Sequence, residues 1–445
     1  MHIKTLITSS KTLVILGQMV ASGGNFALGV LLARWLGMEV FGQYSLLWMG
    51  VLFLLSLHQA YITQPLMALL AGKSEKEQSD YLKSLAGLQT LVTVAIPLLA
   101  VLAYLLLKTV GFTAAWLNWL PVTGLLASVY LLQEFIKKYC FAKKLTHVPL
   151  FMDSALFGLV LPVFAMLQYK GALTLQHALF SLMAFYLISS GLGLKLVGPG
   201  LIKQWKRTQL IHTAKEHYHY SFWLLGTSLV QWFSGNFFLV AAAGTLGAVA
   251  VGAFRMAQNM VGLCHVLFLA MENIVPAEAA RQYFSSGEKA MFAYLRRVGL
   301  LAGIPVGLLL AGFTLAAPWL IGWLFGADYQ AFTYLVAAYS VVYALSYIAI
   351  VLRFALRSMQ FTSPIFIAYA ISAAVSVLVA HPMVAHWGMA GVVAGLVGAQ
   401  VLMLAVYGVF LFSNHYGGEA SSQTNNTAST LAQFLKSLHP QILKR

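Results

Sequence analysis

The chain has 445 residues, of which 60% are hydrophobic and only 9% are charged, and these proportions exclude a soluble globular domain. Its formal charge of +15 is what a nucleic-acid-binding protein would carry, but the basic residues lie in short connections between apolar segments. Membrane orientation explains that distribution better, so we expect no nucleic-acid partner.

The apolar residues form twelve segments, each long enough to cross about 30 Å of hydrocarbon as an α-helix. Because they are continuously apolar and lack the alternation of membrane β-strands, they predict an all-α polytopic membrane protein. The predicted spans 1 to 12 are 12–34, 41–66, 85–107, 115–136, 148–168, 175–198, 218–243, 246–275, 298–324, 330–352, 363–384 and 388–412.

The connections on one side of this twelve-span arrangement, together with the termini, hold 23 of the 27 basic residues. By the positive-inside rule, this asymmetry predicts that both termini are cytoplasmic. Arg353 and Arg357 are counted in a cytoplasmic connection after span 10, and Arg255 is left inside the membrane.

Four sequence landmarks recur at shifts of 210 or 211 residues, close to half the chain. The pairs are Gly24-Asn25-Phe26 with Gly235-Asn236-Phe237, Leu36-Gly37 with Leu246-Gly247, Phe41-Gly42 with Val251-Gly252, and Pro65 with Pro276. A half-length duplication in a membrane protein predicts two lobes with a substrate path between them.

We therefore expect an N-terminal six-helix lobe over 1–200, a basic cytoplasmic linker over 201–217 and a C-terminal six-helix lobe over 218–412. The cytoplasmic tail over 413–445 contains Leu431, Phe434, Leu435 and Leu438 at helical spacing, which predicts either a short interfacial helix or a frayed end.

Span 8 carries a polar stripe on one helical face, at spacings of three and four residues. The stripe consists of Arg255, Gln258, Gly262, His265, Leu269 and Glu272. A charge near the membrane midplane requires water or a counter-ion. Arg255 is therefore either a cationic anchor for an anionic substrate in a wet cavity or half of an internal ion pair, for example with Asp153.

Spans 1 and 7 carry neutral polar residues, of which Gln18, Asn25, Gln231 and Asn236 suit either hydrogen bonding to a glycan or close helix packing. Span 2 ends with His58 and Gln59 shortly before Pro65, and Pro65 and Pro276 are predicted hinges because proline removes a helical hydrogen bond. His58 and His265 are either proton carriers or packing residues.

Glu134 and Asp153 lie near the cytoplasmic ends of spans 4 and 5, where solvated pairing with neighbouring lysines explains them. Cys140 and Cys264 predict neither a disulfide framework nor a metal site. The sequence contains no phosphate-binding Walker motif, nucleophile elbow or zinc helix, so we expect neither an enzyme nor a cofactor. Energy for transport would then come from a gradient or from the membrane potential.

Three stretches carry a resemblance to the polysaccharide-export branch of the multidrug/oligosaccharidyl-lipid/polysaccharide (MOP) flippase superfamily. They are Val251–Asn259 with Met271–Pro276, Pro318–Tyr329, and Leu36–Tyr44. The resemblance implies a V-shaped pair of lobes, like that of the multidrug MATE transporters, which opens alternately to the two sides of a bacterial inner membrane. It implies a cargo of polyprenyl-pyrophosphate-linked oligosaccharide and cationic cavity residues, for which Arg255 fits best and Arg34 second.

The chain departs from the lipid II flippases in having twelve spans rather than fourteen, and from cation-coupled drug exporters in lacking acidic residues in spans 1 and 7. Both departures favour a flippase for an O-antigen or exopolysaccharide repeat unit. The alternatives are a cation-coupled multidrug or small-molecule antiporter of the same fold and a non-transporting scaffold for polysaccharide assembly. The expected partners are the lipid-linked glycan and the bilayer, with a polysaccharide polymerase and glycosyltransferases as further candidates.

Overall fold

A computed structural model describes residues 10–111, 113–198 and 206–417, and every regular element in these ranges is a helix. The predicted helix of the tail lies outside the described residues. The helices are α1 (Ser10–His58), α2 (Gln64–Leu69), α3 (Glu75–Thr109), α4 (Leu120–Ala142), α5 (His147–Tyr169), α6 (Leu175–Val197), α7 (Arg207–Thr245), α8 (Ala248–Val261), α9 (His265–Leu324), α10 (Tyr334–Ser358) and α11 (Ser363–Gly417).

The described residues contain nine helical stretches that are long and apolar enough to cross a membrane. Three of these stretches each contain two predicted spans, separated by a glycine in a left-handed or otherwise non-helical conformation. These glycines are Gly37 in α1, Gly287 in α9 and Gly388 in α11. A side chain at positive φ is strained, so glycine permits each sharp reversal. The described residues therefore form an all-α, multi-pass membrane protein, and the nine stretches contain the twelve spans that hydropathy predicts.

The duplicated landmarks have the same backbone conformation in both halves. Gly37 (φ 75°, ψ 168°) joins spans 1 and 2, and Gly247 (φ 83°, ψ −177°) joins spans 7 and 8. Each follows a leucine, and Gly247 directly precedes the first residue of α8. The sequence repeat is thus also a repeat of the corner at which the chain turns back.

The two ends of the helices define two faces of the molecule. We call the end with the α2–α3, α4–α5, α6–α7 and α10–α11 connections the basic face, because most lysines and arginines lie there. The end with Gly37, Gly247 and Gly388 is the opposite face. Between the faces, large apolar side chains such as Leu98 and Leu308 remain exposed, as expected for a surface that contacts lipid tails.

Several helix boundaries differ from those predicted, and two of them extend a helix into a predicted connection that carries basic residues. Helix α7 begins at Arg207, ahead of the predicted start of span 7, so residues 207–217 of the predicted linker are helical. Helix α10 continues to Ser358 and includes Arg353 and Arg357, which were counted in a connection. Within this extension, Arg353 forms an ion pair in the C-terminal lobe, as described below.

The predicted hinges differ from each other. A π-helical segment, Gln59–Thr63, ends two residues before Pro65, as expected where proline disturbs the hydrogen-bond register of a helix. Helix α9, in contrast, continues through Pro276. The departures from α-helical geometry in that part of the chain are the 3₁₀ turn Gly262–Cys264 and Gly287.

Candidate functional site between the lobes

The lobes meet at the opposite face through a reciprocal contact between spans 2 and 8. A Cβ atom at Gly42 would overlap the carbonyl oxygen of Ala248, and a Cβ atom at Gly252 would overlap that of Met38. A single shift of 210 residues relates Gly42 to Gly252 and Met38 to Ala248. Such reciprocity is the mark of a twofold arrangement, here between two halves of one chain.

Two further hydrogen bonds close this face. A guanidinium nitrogen of Arg34 donates to the carbonyl of Trp323, and the hydroxyl of Tyr329 donates to the carbonyl of Ala33 over 3.1 Å. Both join the end of span 1 to the region where α9 ends. Arg34, the second cationic candidate, therefore contributes to the closure and is not among the residues that line the cavity beneath it.

A cavity of about 270 Å³ lies between the lobes beneath this closure. Its lining residues are Asn25, Leu28, Gly29, Phe41, Tyr44, Ser45, Trp48 and Leu52 of α1, Tyr130 of α4, and Arg255 and Asn259 of α8. The N-terminal lobe thus contributes an aromatic and hydroxyl-bearing wall, and the C-terminal lobe contributes a guanidinium and an amide. Of the predicted binding residues, Asn25 and Arg255 belong to this lining.

Only some of the hydrogen-bond donors of the Arg255 guanidinium have a partner. Its Nη1 donates to Oε1 of Gln258 over 2.6 Å, whereas its Nη2 exposes less than 1 Å² and has no hydrogen-bond partner. No carboxylate among the described residues forms an ion pair with Arg255. Asp153, the partner considered from the sequence, pairs with Lys137 instead. The internal ion pair that was the alternative for Arg255 is therefore not formed in this conformation.

Asn259 lies beside Arg255, four residues further along α8, and was not singled out from the sequence. Its Nδ2 is also buried without a hydrogen-bond partner. Gly29 provides the space for this amide, because a Cβ atom there would overlap Nδ2. The spacing of four residues from Arg255 was the available signal, since it places both side chains on one helical face. Two unsatisfied donors therefore lie together in the cavity.

The remaining predicted residues lie elsewhere. Three of the amides bond to neighbours on their own helix: Gln18 donates to Ser22, Asn236 donates to the carbonyl of Trp232, and Gln258 accepts from Arg255. The amide nitrogen of Gln231 lies 3.5 Å from the hydroxyl of Tyr369, and Gln59 begins the π-helical segment. His58 forms a hydrogen bond with Gln89, and the ring of His265 lies against Phe268. The stripe predicted along span 8 is interrupted because the 3₁₀ turn at Gly262–Cys264 changes the helical phase.

A second guanidinium occupies the basic-face half of the C-terminal lobe. Arg353 forms an ion pair with Glu272 of α9, and its Nη1 donates to the hydroxyl of Tyr369 of α11 over 2.9 Å. The side chains of Arg353 and Glu272 are 13% and 32% exposed. Glu272, part of the predicted stripe, thus serves a different arginine from Arg255.

These features define a class of membrane protein in which two six-span lobes enclose a site that is closed at one face. No protein-family model and no curated protein matches the chain. Solved structures do share its fold. One is the inward-facing conformation of a multidrug resistance MATE family transporter of the MOP superfamily, with a TM-score of 0.72 at 13% identity over 93% of this chain and 100% of that one.

Two other solved structures extend this comparison. The lipid II flippase MurJ in an inward closed conformation has a TM-score of 0.66 at 14% identity, over 96% of both chains. A MOP superfamily transporter from Pyrococcus furiosus, for which a reversed polarity of the binding pocket suggests a different function, has a TM-score of 0.61 at 12% identity over 92% of this chain and 97% of that one. The chain therefore has the MOP superfamily fold.

Proposed function

We propose that this protein is a flippase that moves a polyprenyl-pyrophosphate-linked oligosaccharide from the inner to the outer leaflet of a bacterial cytoplasmic membrane, for polysaccharide export. The observation that carries the proposal is the unpaired Nη2 of Arg255 in the cavity between the lobes. The fold shared with a lipid II flippase supports the same class of cargo.

The chemistry of the cavity suits a phosphate group. A guanidinium binds phosphate oxygens through charge-assisted hydrogen bonds, and the adjacent amide of Asn259 adds a neutral donor. Burying an unpaired charge is costly, so an anionic ligand is the partner that makes this arrangement favourable. The opposing wall of Tyr44, Ser45 and Trp48 offers amphipathic rings and a hydroxyl to the sugars.

A separate apolar groove suits the lipid tail. A volume of about 910 Å³ lies between spans 2, 3, 4 and 7 in the half of the protein nearer the opposite face. Span 2 separates this groove from the cavity, and the tilted ring contact of Phe53 with Trp232, at 4.8 Å between ring centroids, lies at its border. A prenyl chain there stays in an apolar environment while the headgroup occupies the cavity.

Alternating access follows from the reciprocal closure. Because the opposite face is closed, the cavity is loaded from the basic face, which the positive-inside rule assigns to the cytoplasm. Release to the outer leaflet requires the contacts of Gly42 with Ala248 and of Gly252 with Met38 to separate. The same two contacts form again when the empty protein returns.

The second candidate function is a cation-coupled multidrug antiporter, which the MATE fold favours. An unpaired guanidinium repels a cationic drug, and spans 1 and 7 contain no carboxylate to bind a coupling ion. We therefore rank it below the flippase. In a scaffold without transport, no ligand would offset the cost of burying a cation between the lobes.

The test is transport of a labelled polyprenyl-pyrophosphate oligosaccharide in proteoliposomes. We expect Arg255→Ala to lower the rate by at least about a hundredfold, because each charge-assisted bond to a charged group contributes ~1.5–3 kcal/mol. Arg255→Lys should retain part of the rate, since it keeps the charge without the planar pair of donors. Arg281→Ala, at a side chain that is 73% exposed, is the matched control.

The outcome that contradicts the proposal is undiminished glycan transport by a well-folded Arg255→Ala protein. Transport of a cationic dye by the wild-type protein, together with no transport of the lipid-linked glycan, would instead establish the antiporter.

A further inference from the structure

One buried hydrogen-bond donor belongs to the apolar groove beside the central cavity, which is the space between the lobes that Arg255 lines. The Nε1 atom of Trp232 exposes less than 1 Å² and has no hydrogen-bond partner, and Trp232 lines the groove of about 910 Å³. Thr123, another lining residue, donates its hydroxyl to the carbonyl of Trp119 over 2.8 Å. An indole N–H can only donate, so Trp232 needs an acceptor that the described residues do not supply.

This donor lies at a contact between the two lobes. The ring of Phe53, on span 2 of the N-terminal lobe, packs against the indole of Trp232 at 4.8 Å between ring centroids. The ring of Phe233 lies 5.3 Å from the indole, on the same helix as Trp232. Phe233 therefore moves with Trp232, whereas Phe53 belongs to the other lobe. A small separation of the lobes uncovers the indole on the side of Phe53.

The groove and the central cavity lie on two sides of the same stretch of span 2. Trp48 and Leu52 line the cavity, and the residues that follow each of them in the sequence, Met49 and Phe53, line the groove. The groove is lined mainly by apolar side chains, whereas the cavity contains the guanidinium of Arg255. A lipid with its chain in the groove and its headgroup in the cavity therefore has its junction of chain and headgroup at this border.

Gly50 leaves room for a chain beside the contact of Phe53 with Trp232. It lies inside helix α1, is exposed, and has open space where a Cβ atom would be, so packing within the protein does not require glycine there. Glycine destabilises a helix relative to alanine, and it is favoured where a ligand approaches the backbone closely. Gly50 lines the groove three residues before Phe53, on the same face of the span. The absence of a side chain at this position opens the groove next to the unpartnered donor.

The depth of Trp232 selects a lipid whose headgroup is inside the protein. Phe53 and Trp232 both lie near the middle of their predicted spans, 41–66 and 218–243. The phosphates of bilayer phospholipids lie outside the hydrocarbon core, which is about 30 Å thick. A phosphate therefore reaches the indole only when its headgroup has entered the space between the lobes, as the headgroup of a transported lipid does.

We propose that Trp232 binds the first phosphate after the prenyl chain of the cargo. The inference rests on the proposed flippase function and adds a residue to its binding site. The prenyl chain occupies the groove beside Gly50 and displaces Phe53 from the indole, and the freed N–H donates to a phosphate oxygen. A phosphate supplies acceptors where the chain ends, and a hydrogen bond to a charged group is stronger than one to a neutral acceptor. Arg255 binds the phosphates on the cavity side of span 2.

The first experiment needs no glycan. NMR spectra of the protein in nanodiscs, with isotope-labelled tryptophan, record the indole N–H resonances. The resonance of Trp232 is identified by its loss in Trp232→Phe, or in Trp232→Tyr if the former does not fold. We expect a short polyprenyl monophosphate to shift this resonance downfield, because an N–H without a partner gains a hydrogen bond. The polyprenol of the same length and additional anionic phospholipid should leave it in place.

The same spectra locate the prenyl chain. Gly50→Leu fills the open space of the groove, so we expect half of the shift to require a higher concentration of polyprenyl monophosphate. Gly158→Leu is the matched control, because Gly158 on α5 is also an exposed helical glycine with open space at the Cβ position. It should respond like the wild type.

The second experiment measures transport of labelled lipid-linked glycan in proteoliposomes. We expect Trp232→Phe to lower the rate about tenfold, which corresponds to the loss of one hydrogen bond to a charged group. Trp319→Phe also removes an indole N–H, from a side chain of span 9 that is 68% exposed, and should transport like the wild type.

The outcomes separate this inference from the proposed function. A Trp232 resonance that ignores polyprenyl monophosphate, or that moves equally with polyprenol, overturns the phosphate site, as does transport by Trp232→Phe at the wild-type rate. An equal shift with phospholipid overturns it too and makes the groove a site for bilayer lipid only. The flippase stands in these cases if the wild-type protein moves the glycan. A wild-type protein that moves no glycan, while its Trp232 resonance shifts with polyprenyl monophosphate, overturns the flippase and leaves the phosphate site.

Discussion

The C-terminal lobe contains two desolvated arginines with opposite surroundings. Arg353 has a carboxylate, Glu272, and a hydroxyl, that of Tyr369, within hydrogen-bond distance. Arg255 has only the neutral amide of Gln258, and one of its nitrogens has no partner. Each guanidinium keeps one buried nitrogen without a partner, Nε in Arg353 and Nη2 in Arg255, so the difference between them is the counter-charge. The paired arginine stabilises the packing of three helices, and the arginine without a carboxylate is the proposed anchor for an anionic ligand. Charge type and burial alone do not distinguish these two roles, but the surrounding partners do.

The largest effect is expected when Arg255 is given the kind of partner that Arg353 has. Asn259→Asp places a carboxylate of nearly the same size beside the guanidinium. We expect glycan transport to fall by about two orders of magnitude, or ~3 kcal/mol, because the carboxylate competes with phosphate for Arg255. The proteoliposome assay measures the rate, and a thermal unfolding curve in detergent should show no loss of stability.

Asn259→Ala is the matched control for this substitution, because it removes the amide without adding a charge. We expect a smaller loss of transport than with aspartate. Equal losses in the two variants would mean that pairing of Arg255 is not what matters.

The next effect concerns stability rather than transport. Arg353→Ala leaves Glu272 without its counter-charge between α9, α10 and α11, and we expect the free energy of unfolding to fall by ~1–2 kcal/mol. The partial exposure of Glu272 keeps this value below that of a fully buried pair. A lower midpoint of thermal unfolding checks it, with Arg281→Ala at an exposed ion pair as the control. An unchanged midpoint would place Arg353 with Arg255 as a ligand-binding group.

The smallest effect tests the hydroxyl of Tyr369, the second group that binds Arg353. Tyr369→Phe removes the acceptor of the 2.9 Å bond from Nη1, for which we expect a loss of ~0.5–1 kcal/mol. In the Arg353→Ala background the same substitution should have almost no effect, since the bond is already absent. Additive losses in this double-mutant cycle would show that Tyr369 stabilises the lobe through other contacts.

The spans and the site were predictable to different degrees. Apolar length identifies the spans, because a helix in hydrocarbon needs about 20 consecutive apolar residues and few other structures satisfy its backbone there. The repeat of Leu36-Gly37 at Leu246-Gly247 was also visible, but the predicted span 8 included Leu246-Gly247, and the structure shows that both glycines lie at corners with positive φ. Arg255 was conspicuous for a similar reason, as a charge within an apolar segment.

Ion pairs between distant helices could not be predicted from the sequence in this way. The sequence shows Glu134 and Lys137 three residues apart, but it does not show that Asp153 turns towards the same ammonium or that all three side chains are buried. Arg353 was counted in a connection because its partner, Glu272, lies 81 residues away in the sequence. A 3₁₀ turn at Gly262–Cys264 likewise changed which residues of span 8 share a face.

The reciprocal contact of Gly42 and Gly252 has a consequence for how cargo is held. The same shift of 210 residues that relates these glycines also relates Ser45 to Arg255, and both line the central cavity. A frame with matching halves would accept a ligand in either of two orientations with equal ease. One positive charge on one half removes that ambiguity, so a glycolipid of the proposed kind would have to present its phosphates to the same wall.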